Sequence, residues 1–124
     1  MKTSEIRIGN IIEWNKEPFN VCRIFDNSVK NESWCKPINE LHGIEITEKE
    51  LLKFGFDNIQ DEDQFTLEYD SELGTGFLLI WVDKSLNLYP QEGVIFLNHI
   101  KHVHQLQNLY FALTGEELTY LESL

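Results

Sequence analysis

Phe65-Thr66-Leu67-Glu68-Tyr69, Phe77-Leu78-Leu79-Ile80-Trp81-Val82, Leu86-Asn87-Leu88-Tyr89 and Val94-Ile95-Phe96-Leu97 follow one another with no helical pattern between them. The first run alternates apolar and polar residues, which predicts a strand with one wet face. The second is apolar throughout and predicts a central strand covered on both sides. Gly74-Thr75-Gly76 offers a tight connection between these two, and Pro90 and Gly93 punctuate the link between the last two. The second half of the chain therefore reads as a meander of three or four strands.

Helical signals flank this block. Upstream, Thr47-Glu48-Lys49-Glu50 has the capping-box spacing, a Thr at the N-cap and a Glu three positions on. Leu51, Leu52 and Phe54 follow, and Gly55 stands where a left-handed residue closes a helix. This predicts a helix of about two turns, Glu48 to Phe54, too short to persist unless its apolar face packs on a sheet. Downstream, Ile100, Val103, Leu106, Leu109, Tyr110 and Leu113 recur at spacings of three and four. They predict a helix from about Ile100 to Thr114, with Lys101, His104, Gln105 and Asn108 on its other side and Gly115 as its stop. The tail from Glu116 to Leu124 reads as a short strand or a final turn pinned to the core.

The first third reads as short strands. Ile6, Ile11, Ile12 and Trp14 are interrupted by Gly9-Asn10, and Phe19, Val21 and Ile24 follow Pro18, which suits a strand start or an edge. Asp26-Asn27-Ser28 is a turn, and Val29 to Lys36 returns as a third strand. The expected class is α+β: small antiparallel β meanders packed with one short central helix and one longer C-terminal helix, in a single domain of residues 1–124.

Charge is the main functional signal. From Phe54 to Asp83 the chain carries Asp57, Asp61, Glu62, Asp63, Glu68, Asp70, Glu72 and Asp83 and no Lys or Arg. After Lys101, the acids Glu116, Glu117 and Glu122 have no base beside them. These two stretches hold the whole net charge of -11, because the other residues balance ten acids against ten bases. Such a field chooses partners by charge. It argues against direct binding to nucleic acid, whose affinity comes from Lys and Arg neutralising phosphates. It also disfavours membrane headgroups and self-association. The aromatic content of 12% and apolar content of 42% are those of a globular chain, not of an acidic disordered one.

The chemistry-bearing residues form no recognisable motif. His99, His102 and His104 crowd together, and on a helix His99 and His102 would share a face while His104 pointed elsewhere. No Cys or acid completes a metal set nearby, so they read as hydrogen-bonded or solvated histidines and no metal or other cofactor is expected. Asp61-Glu62-Asp63 departs from a calcium loop because Thr66 stands where the loop needs Gly; it reads as a solvated acidic turn. There is no nucleophile elbow, phosphate loop or zinc-protease helix, so no catalytic residue is assigned. Cys22 and Cys35 read as reduced, buried small hydrophobes in a cytoplasmic protein, since no secretion signal precedes them. Trp81 reads as core, whereas Trp14 and Trp34 lie in a less periodic region and are candidate interface anchors.

The segment from Ile100 to Leu118, including Lys101-His102-Val103-His104-Gln105-Leu106-Gln107-Asn108-Leu109-Tyr110-Phe111-Ala112-Leu113-Thr114-Gly115-Glu116-Glu117, resembles the C-terminal signature of a widespread family of small uncharacterised proteins encoded by phages and prophages. Arg7-Ile8-Gly9-Asn10 and Leu51-Leu52-Lys53-Phe54-Gly55-Phe56 look similar to further stretches of that family. The resemblance carries no activity and no catalytic residues. It implies a context in which small acidic proteins occupy a host protein, as anti-CRISPR inhibitors do. The expected partner is then a basic host protein such as a nucleic-acid-guided nuclease. The expected binding residues are Asp57, Asp61, Glu62, Asp63, Glu68, Asp70 and Glu72, with Trp14 and Trp34, on a monomer acting in the bacterial cytoplasm. Two rivals are a small metal-dependent or thiol enzyme built on His99, His102 and His104, and a self-associating phage assembly protein.

Overall fold

The computed structural model describes residues 1–58, 63–70 and 76–121. The Asp61, Glu62, Glu72 and Glu122 positions and the Gly74-Thr75 part of the expected turn lie outside the described residues. In chain order the elements are β1 (Ile11–Trp14), β2 (Glu17–Asn20), β3 (Arg23–Ile24), β4 (Ser28–Lys30), β5 (Cys35–Pro37) and β6 (Leu41–His42). They continue with α1 (Glu48–Lys53), β7 (Asp57–Asn58), β8 (Gln64–Asp70), β9 (Gly76–Val82), β10 (Ser85–Tyr89), β11 (Ile95–Leu97) and α2 (Val103–Thr114). The class is α+β. The chain divides into two compact units, Met1–Ile46 with His102–Thr119, and Thr47–Lys101 with the chain from Tyr120 onward.

In the first unit, β1 pairs antiparallel with β2 and β6, and β4 pairs antiparallel with β3 and β5. The β1–β2 hairpin turns on Asn15 and Lys16, both at positive φ, as a turn that matches the strands' twist requires. The single strand expected over Val29 to Lys36 is in fact a hairpin. Asn31 Oδ1 accepts from the backbone N–H groups of Ser33 and Trp34, and this side-chain bonding turns the chain between β4 and β5. Ile6, Ile12, Phe19, Val21, Val29 and Leu41 form the core cluster, with Trp14, Ile24 and Ile38 packed on it. Cys22 and Cys35 are free and exposed, contrary to the burial expected. Cys22 follows the end of β2 and Cys35 lies on the outer strand β5, where the inward positions go to Val21 and Val29.

Helix α2 belongs to this unit and starts later than its apolar spacing implies. His102 is extended and bridges Glu45, while the Val103 N–H donates to Ile44 O at 2.8 Å. These non-local bonds hold residues 101 and 102 out of the helix. The buried face is also different. Val103, His104, Leu106 and Gln107 are buried, whereas Leu113 is exposed. His104, expected on the outer side, is therefore inside.

In the second unit, β11-β10-β9-β8-β7 form one sheet in which each neighbouring pair is antiparallel. Asp83 and Lys84, at φ 52° and 59°, make the tight β9–β10 turn. Side chains alternate across the sheet. Phe65, Leu79, Trp81, Leu86 and Leu88 are buried on one face, as are Leu51 of α1 and Phe54 and Phe56 that follow it. The other face of β9 carries Leu78, Ile80 and Val82, all only half-buried, so this central strand is not covered on both sides. Helix α1 ends with paired bonds, Gly55 N to Leu52 O and Phe56 N to Leu51 O, with Gly55 at φ 94° as this closure demands.

Candidate protein-interaction surface

The register decides which acids act together. Glu68 and Asp70 alternate with Tyr69 on β8 and share one face, and Asp57 joins them because it pairs with Thr66. Across β9 and β10 the same face continues as Leu78, Ile80, Val82, Ser85, Asn87 and Tyr89, and Phe96 extends it on β11. No Lys or Arg stands on it among the described residues. Asp57, Glu68 and Asp70 are exposed, and none is in an ion pair among the described residues. Asp63 is exposed just before β8. Phe96 is 69% exposed, so the face combines carboxylates on one flank with apolar and aromatic surface on the other.

At the Asp70–Gly76 end of this sheet lies a cleft of about 470 Å³, open to solvent and lined by Glu68, Asp70, Gly76, Leu78, Tyr89 and Pro90, with Tyr69, Phe77 and Gln91. Glu68 stands opposite Leu78, and Leu78 opposite Tyr89. Gly76 matters here. A Cβ at that position would lie 2.9 Å from Asp70 Oδ1 and 2.5 Å from Tyr69 O, so the missing side chain lets the Asp70 carboxylate lie over the backbone. Tyr69 and Phe77 stack at 5.2 Å on the opposite side of the same strand pair. Leu78 and Tyr89 carried only strand signals in the sequence, and Gly76 only a turn signal; their convergence depends on register.

Trp14 and Trp34 belong to the first unit. Lys36 Nζ lies 4.0 Å from the Trp14 ring centroid and 5.1 Å from that of Trp34. Trp14 packs against the core cluster, while Trp34 is 59% exposed in the β4–β5 connection. The two tryptophans thus share one ammonium, and they lie in a different unit from Asp57, Asp63, Glu68 and Asp70.

The histidines do not assemble as helix spacing suggests. His99 and His102 both precede α2, and His99 is exposed. His102 and His104 stack instead, with centroids 5.7 Å apart, because both rings lie on Gly43, where any Cβ would sit 2.8–2.9 Å from them. His104 is 4% exposed and its Nδ1 has no hydrogen-bond partner. Burial pushes its pKa down, and the neighbouring His102 adds to this while Glu5 opposes it. Among the described residues no three His, Cys, Asp or Glu side chains group as metal ligands.

The segments 7–10, 51–56 and 100–118 do structural work in this chain. Gln107 is fully buried. Its Oε1 accepts from Ile11 N at 2.8 Å, and its Nε2 donates to Gly9 O at 3.3 Å and Leu118 O at 3.0 Å. Asn10 Nδ2 donates to Asn108 Oδ1 at 2.9 Å. Arg7 pairs its two terminal guanidinium nitrogens with Glu117, at 2.7 and 3.2 Å, and lies over the Phe111 ring at 4.1 Å. In the other unit Leu121 N donates to Lys53 O, and Tyr120 stacks on Phe54 and donates its hydroxyl proton to the Glu50 carboxylate. Burial and then that carboxylate hold the tyrosine pKa well above its ordinary value. Glu50 therefore serves Tyr120 with its side chain, and only the Thr47 half of the expected capping box is formed, Thr47 Oγ1 accepting from Glu50 N at 3.4 Å.

No helix among the described residues is long and apolar enough to cross a membrane. Comparisons with protein-family models, with curated proteins and with solved structures gave no match.

Proposed function

We propose that this is a non-enzymatic binding protein whose carboxylate-bearing sheet face docks on a basic partner protein. The observation that carries the reading is the exposure of Asp57, Glu68 and Asp70 on one face with no Lys or Arg among the described residues there. Like charges gathered this way cost stability within the protein, and a cationic partner relieves that cost. The resemblance of the tail to phage-encoded proteins supports a bacterial defence protein as that partner, one whose basic groove handles guide or substrate nucleic acid. The protein then acts as an inhibitor in the host cytoplasm.

The test is affinity capture from bacterial lysate, followed by association kinetics with the captured protein over a range of salt. The variant Asp57→Asn/Glu68→Gln/Asp70→Asn keeps side-chain size and removes three charges. It is expected to associate about tenfold or more slowly at low ionic strength, with a shallower salt dependence. An unchanged association rate would refute the acidic face as the docking surface.

A further inference from the structure

We infer that the cleft at the Asp70–Gly76 end of the sheet is an anchor site for an arginine side chain; this rests on the docking reading above and names the chemistry that would seat there. Three kinds of surface meet in it: two carboxylates, Glu68 and Asp70; an apolar floor, Leu78; and an aromatic wall, Tyr89, which is 38% exposed. Glu68, Leu78 and Tyr89 stand directly across three neighbouring strands. Neighbouring strands are ~4.8 Å apart, so carboxylate and ring flank the leucine with ~10 Å between their backbones. A side chain entering over Leu78 meets a carboxylate on one side and an aromatic side chain on the other.

Arginine fits these surfaces better than the other cations. Its methylene stem packs on an apolar floor while its head stays charged. The planar guanidinium can stack on a tyrosine ring and bind a carboxylate through two parallel N–H groups at once, which an ammonium cannot do. A calcium ion is poorly matched, because it wants six to eight oxygens and this cleft offers two carboxylates beside apolar surface. Anions are excluded by the same carboxylates. Glu68 and Asp70 have no cation of their own among the described residues, so the guanidinium displaces no existing ion pair. The missing side chain at Gly76 is what lets the Asp70 carboxylate lie over the backbone at the end of the cleft.

The probes are blocked Gly-Arg-Gly and Gly-Lys-Gly tripeptides, titrated into isotope-labelled protein at low salt and followed by amide NMR shifts. The expected result is saturable shifts concentrated at Glu68, Asp70, Gly76, Leu78, Tyr89 and Gln91. The arginine peptide should bind about two- to fivefold more tightly than the lysine peptide, the range an exposed cation–π contact supplies. Tyr89→Ala should abolish that preference and Tyr89→Phe should keep it, with the rest of each variant's spectrum reporting an intact fold. Equal binding of the two peptides, or shifts spread evenly over all exposed carboxylates, would overturn the anchor and leave a diffuse acidic field. That outcome is separable from failure of the docking reading, which is decided by association of the captured partner with the charge-neutralised protein.

Discussion

His104 shows how a single residue can be misplaced by periodicity and yet set a measurable property of the fold. Its neighbours on a helical wheel are polar, so spacing puts it outside; the close approach of Gly43 puts it inside, against His102. That approach comes from residues far apart in the chain and leaves no local trace. The buried imidazole has an unpartnered Nδ1 and a lowered pKa, so the folded state holds it neutral. The groups acting on it are His102 and the N-terminal amine, which favour the neutral form, and Glu5, which opposes them. The unfolded chain binds this proton near pH 6.5 and the folded chain only at lower pH. The stability that His104 contributes is therefore complete above about pH 6.5 and is lost as pH falls below it, by at most about 1.4 kcal/mol per pH unit for one proton. Urea melts of the parent and of His104→Gln between pH 7.5 and 5.5 check this. The parent should lose stability more steeply than the variant, and parallel profiles would show that His104 titrates the same in both states.

At the scale of elements, what was legible is what is local. Thr47 caps α1, Gly55 closes it, and Gly115 stops α2 at φ 75°, all at the positions their chemistry marks. The start of α2 was not legible, because Glu45 and Ile44 hold His102 and Val103 through bonds to a distant segment. Nor were the hairpin turns at Asn15-Lys16 and Asp83-Lys84, which lack the glycine that usually marks positive φ. The apolar spacing of α2 marks Val103 and Leu106 as buried but carries no sign of the polar half of that face, His104 and Gln107. Gln107 there satisfies Ile11 N, Gly9 O and Leu118 O together. Gln107→Leu keeps volume and adds hydrophobicity, yet it strands buried groups that each cost ~1–3 kcal/mol when unpaired. It should destabilise the protein by at least about 2 kcal/mol, comparable with Leu106→Ala, for which loss of core volume predicts ~2–5 kcal/mol. Denaturant melts of the two variants decide it; a neutral Gln107→Leu would mean that water or neighbouring groups replace the amide.

At the scale of the whole molecule the uneven charge was legible from composition, but the face that presents it was not. Alternation along β8 keeps Glu68 and Asp70 together, register brings Asp57 beside them, and Trp14 and Trp34 fall in the other unit around Lys36. Two acids elsewhere are paired: Glu117 with Arg7, and Glu50 with Lys53 and Tyr120. Asp57, Glu68 and Asp70 are in no ion pair among the described residues, and their proximity on one face has an energetic consequence. Glu68 and Asp70 are two residues apart on one strand, ~7 Å, which is inside the ~10 Å screening length at 0.1 M salt. Their repulsion is a small standing cost to the folded state. Asp57→Asn/Glu68→Gln/Asp70→Asn should therefore be at least as stable as the parent, by up to about 1 kcal/mol at low ionic strength, and the difference should shrink as salt is added. Paired denaturant melts at 20 mM and 500 mM sodium chloride, about 20 Å and about 4 Å screening length respectively, make the comparison. If the neutralised protein is instead less stable by more than about 1 kcal/mol at both salts, the three carboxylates hold the fold together through bonds of their own. They would then be architecture, like Glu117 and Glu50, and the sheet face would lose its claim to be the docking surface.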